Sequence, residues 1–251
     1  MAEERQARAV RTRRTLLYAA ARLFDRYGYT RTRIGDISAA AGVSSGALHF
    51  HFENKAALAA AVEEAGADIL WSAGWIAYQA NADALQALTD MSQAFARLLQ
   101  WDVLARAGFR LGADGALRGS RGLDREWQGC VERLLLEAAR NDELSAHVQL
   151  HEITCAVLTA TTGVGLLIRG DSERQMQAAL TGFWQVFLPG LARPEVARRL
   201  EPAGRLSVVT DAVAVSGRAR ARAAADRPGR AAHPQSPPSS GASGWAPVPS
   251  R

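Results

Sequence analysis

The sequence predicts an all-α protein: an N-terminal three-helix unit, a larger C-terminal helical body and a tail. Apolar residues recur at the 3.6-residue helical period in segment after segment. No stretch alternates apolar and polar residues as a half-buried strand would. Gly, Pro and Asn punctuate the chain where each apolar stripe ends. With 251 residues, there is ample length for one large core or two smaller ones.

Taken in order, Leu17, Ala20, Ala21 and Phe24 form the stripe of a first helix, which ends near Tyr27-Gly28. An arginine-rich leader (Arg5, Arg8, Arg11, Arg13, Arg14) precedes or opens it. The segment TRIGDISAAAGVSSGALHFHFENK, Thr32 to Lys55, then reads as two short helices and the start of a third. Thr32 is placed to cap the helix over Ile34–Ala41, and Gly42 can take the left-handed conformation that ends it. Val43 turns into the corner, and Ser44 or Ser45 can cap the next helix. That helix carries Gly46, His49 and His51 on its polar side. Asn54 caps a fourth helix with Lys55 in its first turn. This is the layout of a helix-turn-helix, whose second helix enters the major groove; the alternative is an ordinary helical hairpin.

The fourth helix runs on, rich in Ala, toward Trp71 and Trp75. Leu85, Leu88, Met91, Phe95, Leu98 and Leu99 trace another helix. Gly108 to Gly122 is rich in Gly and Arg and is expected to be a loop or a short helix. Trp127, Cys130, Val131, Leu134, Leu135 and Ala138 make the next stripe, which Asn141 and Asp142 end. Ile153 to Ile168 is apolar all round, hence expected to be buried. Met176, Leu180, Phe183 and Phe187 form a last long stripe, stopped by Pro189-Gly190. Two such apolar helices suggest a four-helix dimer interface. Beyond about Ser216 the Pro/Ser/Gly/Arg-rich sequence cannot bury enough surface to fold and is expected to be disordered. The domains are thus 1–62, 63–216 and a basic tail, 217–251.

Charge follows the same division. Residues 1–62 hold ten Lys/Arg against five Asp/Glu, residues 63–216 fourteen against nineteen, and residues 217–251 six against one. Basic ends flanking an acidic body suit a chain whose ends face a polyanion, although a solvated tail without a partner fits the same numbers. Cys130 and Cys155 lie inside apolar stripes and read as reduced core thiols of a cytoplasmic protein. Leu16 to Ala21 is too short for a signal sequence and Ile153 to Ile168 too short for a membrane span, so no membrane partner is expected. The five His offer no metal-like pair on one helix, and no Ser/His/Asp grouping recurs at a useful spacing. A metal, another cofactor or an enzymatic activity is therefore not expected.

The helix-turn-helix segment resembles the DNA-binding domain of TetR-type repressors. AAGVSSGALHFHFENKAAL is similar in particular to the γ-butyrolactone-receptor branch, where the stretch typically reads AAGVTKGALYFHF before a Ser/Asn-Lys cap. Phe50, His51, Phe52 and Lys55 match that pattern. Ser45 stands where the branch usually has Lys, and His49 where it usually has Tyr; both departures fall on the base-reading surface. The likeness is specific over roughly the first sixty residues and looser beyond. It implies a homodimeric repressor that a small molecule, a γ-butyrolactone-like signal or an antibiotic, releases from a palindromic double-stranded DNA operator.

For DNA, Thr32, Ser44, Lys55 and the leader arginines are expected at phosphates. Ser45, Gly46 and His49 are expected at base edges, with His49 able to contact a purine or a phosphate. His51 and Phe52 are expected to pack or cap. For the ligand, the resemblance implies Trp127, because the branch carries a Trp near this point that covers the lactone; a plain core Trp is the alternative. Thr161 lies on the facing helix and offers a hydroxyl. A Gln is common in the branch near position 64, where this chain has Glu64, and the three departures favour a pseudo-receptor. A nonspecific DNA binder driven by its basic ends is the second functional class.

Overall fold

The structure, a computed structural model, describes residues 2–113, 122–167 and 173–214. Among them it contains the helices α1 (Ala2–Arg31), α2 (Ile34–Ala40), α3 (Ser45–His51), α4 (Lys55–Gln79), α5 (Ala84–Trp101), α6 (Val103–Ala113), α7 (Leu123–Arg140), α8 (Leu150–Leu167), α9 (Glu173–Leu191) and α10 (Pro194–Ala197). A last helix, α11, spans 206–214. No strand pairs among the described residues beyond one isolated bridge, Leu144 with Ala192.

The first core joins the N-terminal helices to the lower part of the body. Leu16, Leu17, Phe24, Ile37, Leu48, Leu58, Leu98 and Leu104 are all buried in it. The second core lies between α5, α7, α8 and α9, around Leu88, Val131, Leu134 and Trp184. Both contact Trp71 and Phe95, which bridge them. α4 therefore belongs to both units, and its widest contact is with α6.

That contact depends on glycine. A Cβ on Gly66 would lie 2.6 Å from the Leu104 carbonyl oxygen, and one on Gly108 would lie 3.0 Å from Gly66 Cα. The two backbones touch. Gly108 and Gly112, which the sequence suggests as loop formers, thus sit inside α6; residues 114–121 of that expected segment lie outside the described residues. α9 likewise runs past Pro189-Gly190 to Leu191, because Pro189 falls near its end. α8 is not buried all round: His151, Glu152, Cys155 and Thr159 are exposed. Cys130 is the core thiol, its pKa pushed up to about 12 by burial, whereas Cys155 faces outward.

The C-terminal segment closes the body. α5 presents Gln86, Asp90 and Gln93 on one face, each no more than 3% exposed. Buried polar groups need partners, and residues 201–205 supply them. The Glu201 N–H donates to Gln86 Oε1 and the Arg205 N–H to Asp90, while Gln93 donates to the Pro202 carbonyl. Arg205 also pairs with Asp90 at 3.4 Å. α11 then buries Val209 and Ala212 in the first core. The tail from 217 onward lies outside the described residues.

Candidate DNA interface and ligand cavity

The turn is built by local chemistry. Ala41 and Val43 donate back to Ile37 and Ser38, and Gly42 takes φ +65°. Ser44 is extended, and its hydroxyl accepts from the Ala47 N–H at 3.2 Å. Ser44 thus caps α3, which leaves Ser45 to open it. Leu48, His51 and Phe52 turn inward and pin α3 to α1. Ser45, Gly46, His49 and Phe50 face solvent together, and nothing but Ser44 Oγ, at 4.0 Å, comes near a Cβ built on Gly46. Close approach of a ligand to the α3 backbone is open there.

His51 packs rather than reads. Burial, and then the neighbouring Arg13, hold its pKa below the ordinary histidine value. Arg13 itself is buried over the Phe52 ring, 5.1 Å from its centroid. Arg5, Arg8, Arg11 and Arg14 remain exposed.

Two expected phosphate contacts are already engaged. Thr32 is 3% exposed and donates its hydroxyl to the Gly28 carbonyl at 2.8 Å, so it faces α1 instead of DNA. It does not cap α2 either: Arg33 takes that position. The Lys55 ammonium donates to the Tyr29 and Thr32 carbonyls, both at 3.1 Å, above the Tyr29 ring. Of its three protons, one is left for a phosphate. The sequence reasoning missed Phe50, 79% exposed beside the base-facing residues, and Arg31 and Arg33, exposed at the entry to α2. The signal was present: an apolar residue between two histidines, and cations spaced to share one side of the turn.

In the body, a small apolar cavity lies between α4, α5, α6, α7, α8 and α9. Leu70, Phe95, Leu99, Phe109, Leu123 and Leu180 supply most of its wall, and Trp127 and Thr161 meet in it. Trp127 Nε1 donates to Thr161 Oγ1 at 2.9 Å, and that hydroxyl donates to the Val157 carbonyl at 2.8 Å. The Phe95 ring stands 4.8 Å from Trp127 and 5.9 Å from Trp71. Glu64 does not reach the cavity. It is exposed on α4, one residue, or about 100° of helical turn, from Glu63, which is buried beside Gly112.

α6 connects the cavity to the N-terminal unit. Phe109 lines the cavity, and the flanking Arg106 and Arg110 both grip Asp25 on α1. The Arg106–Asp25 distance is 2.8 Å, and Arg106 also donates to the Leu99 and Gln100 carbonyls that end α5. Asp102 caps α6 by accepting from the Leu104 and Ala105 N–H groups. Among the described residues no group of three or more potential metal ligands occurs, and no helix is long and apolar enough to cross a membrane.

A short helix presented over a tight turn, packed through a shared core onto a helical body with an apolar cavity, defines a one-component DNA-binding regulator. Residues 16–62 match the family model described as bacterial regulatory proteins, tetR family. The chain is 32% identical over 209 residues to the A-factor receptor protein of Streptomyces griseus, covering 83% of this chain and 74% of that one. Its fold matches a γ-butyrolactone receptor, an ArpA-like protein, with TM-score 0.65 and 26% identity over 86% of this chain and 99% of the other. It also matches CprB of Streptomyces coelicolor in complex with its operator sequence, with TM-score 0.60 and 26% identity over 86% and 99% of the two chains. The chain belongs to the tetR family of bacterial regulatory proteins, in its γ-butyrolactone-receptor branch.

Proposed function

We propose that this chain is a homodimeric repressor that holds a palindromic operator through α3 and releases it when a small ligand fills the cavity behind Trp127. One observation carries the reading: a single short helix, α6, both lines the cavity and grips the DNA-binding unit through Asp25. Support comes from the relatives, one described as an A-factor receptor and another as seated on its operator. Ser45, Gly46 and His49, joined by Phe50, face base edges. Ser44, Lys55 and the exposed arginines hold phosphates. One short helix reads few base pairs, so specificity requires two copies on a two-fold site. The exposed small and apolar residues of α9, Ala178, Ala179 and Val186, together with the outer face of α8, supply the dimer contact.

Ligand binding acts as a population shift. Only a molecule with different affinities for the operator-competent and released arrangements moves the equilibrium. Replacing Asp25 with Asn removes the charge that both arginines grip. Ligand affinity is expected to stay within about twofold while the ligand-induced drop in operator affinity shrinks by roughly tenfold, a typical coupling magnitude. Titrating operator complexes with ligand reads this directly; an unchanged drop would assign the coupling elsewhere.

The primary test is fluorescence anisotropy at near-physiological salt, with DNA from upstream of its own gene against a shuffled duplex. A preference of about a thousandfold, in the range of specific regulators, supports the reading. Equal, salt-sensitive binding that collapses on deletion of 217–251 supports a charge-driven nonspecific binder instead.

A further inference from the structure

α8 carries a pair of side chains that neither the cavity nor the DNA surface uses. His151 and Cys155 lie four residues apart, so they share one side of the helix, and His151 Nε2 stands 3.9 Å from Cys155 Sγ. Both are exposed. Exposure is unusual for a free cysteine, which is among the most buried residue types. The separation suits coordination. A tetrahedral zinc ion, with bonds of about 2.3 Å to sulfur and about 2.0–2.1 Å to nitrogen, sets two such ligands about 3.6 Å apart. A small side-chain adjustment therefore makes the pair a chelate. Read for histidine pairs, the sequence predicts no metal; the second ligand here is a thiol.

Two ligands do not close a tetrahedron, and no group of three or more potential ligands occurs among the described residues of one chain. A second copy supplies the remainder. The ridge that carries the pair continues through Thr159 to Gly163, and nothing lies within 4 Å of a Cβ built on Gly163 or on Gly182 of α9. On α9, Val186 is 84% exposed. Open, small positions of this kind let another helix come close. An interface between identical chains related by a two-fold axis uses the same patch on both. A helix that meets its own copy near Cys155 thus presents two thiols and two imidazoles to one point.

We propose that His151 and Cys155 of two subunits form one site for a zinc-class divalent ion, with two thiolates and two imidazoles as ligands, which fastens the dimer across α8. The assignment rests on the homodimeric reading above and adds a metal to its subunit contact. Cysteine binds as thiolate and histidine as the neutral ring through Nε2. Two thiol protons therefore leave as the ion enters, and the closed site carries no net charge.

The test uses the full chain, stripped of metal by a chelator and titrated with cobalt(II), whose tetrahedral thiolate complexes are coloured. One ion per two chains is expected, with a sulfur-to-cobalt charge-transfer band that zinc(II) abolishes. Cys155→Ser is expected to lose that band. His151→Gln is expected to weaken cobalt binding at least about tenfold, the least that disturbing even an outer-shell partner costs. His147→Gln removes an exposed imidazole outside the pair and is expected to bind as wild type does. All three positions are exposed, so the fold is not at stake. One ion per chain, a band that survives Cys155→Ser, no uptake by the wild type, or a chain that stays monomeric with metal each overturns the inference. Operator binding separates it from the functional reading. A dimer that prefers its operator but takes up no cobalt sinks the metal site alone. Cobalt-bridged dimers that prefer no duplex sink the repressor and leave the site standing.

Discussion

Replacing Gly66 with Val is expected to destabilise the protein by about 3 kcal/mol, at the upper end of the usual cost of overpacking. The new atoms would meet the Leu104 carbonyl oxygen and Gly108 Cα, both backbone. Neither can rotate away as a side chain would, so α4 and α6 must separate or tilt. Because α6 is also tied to Asp25, the tilt reaches the N-terminal unit, and operator affinity is expected to fall with stability. Gly35 is the internal control: nothing lies within 4 Å of a Cβ built there. Gly35→Ala is expected to stabilise by about 0.5–1 kcal/mol through helix propensity alone. Urea denaturation of the two variants should thus move in opposite directions. A Gly66→Val midpoint equal to wild type would mean that the crossing is looser than the distances say.

A second large effect is expected at Glu143, 2% exposed. Its two oxygens accept from the Ala84 and Leu85 N–H groups at 2.8 and 2.9 Å, capping α5 from 59 and 58 residues away in sequence. Asp83 occupies the local cap position but makes no cap bond, because Arg199 holds its carboxylate. Glu143→Ala leaves two buried backbone donors without their acceptor and is expected to cost about 3 kcal/mol, since each hydrogen bond to a charged group contributes about 1.5–3. Glu143→Gln keeps one acceptor oxygen and turns an amide NH2 toward the other donor, so it is expected to recover only part of the loss. A loss under about 1 kcal/mol for Glu143→Ala would show that water or a shifted Asp83 replaces the cap.

The helix-turn-helix was legible because its determinants are local. Gly42 ends a helix, Ser44 and Asn54 start the next two, and each acts within three residues of its own position. Trp127 was singled out through the family resemblance and Thr161 as a hydroxyl on the facing helix, and their hydrogen bond to one another is visible only in the fold. Glu64 was misplaced relative to Glu63 because α4 is rich in Ala, and a stripe with little size contrast does not mark its own register. Gly108 and Gly112 read as loop formers because a glycine that allows a second helix to approach looks, in one dimension, like a glycine that breaks its own helix. Thr32 and Lys55 lie on the expected side of the chain, but the end of α1 takes up their polar atoms. Only the fold reveals that competition.

The strap over α5 has a consequence for how this protein is made. Asp90 is sealed from solvent and meets Arg205 only after almost the whole body has been synthesised. Until then Asp90 has only the Asn81 and Gln86 amides as partners, and the face of α5 is closed only when residues 201–205 arrive. The DNA-reading half emerges first, yet it shares a core with Val209 and Ala212. A nascent or prematurely terminated product that ends before position 201 therefore lacks the fastening for both halves at once. Truncation before position 201 is therefore expected to remove operator binding and ligand response together.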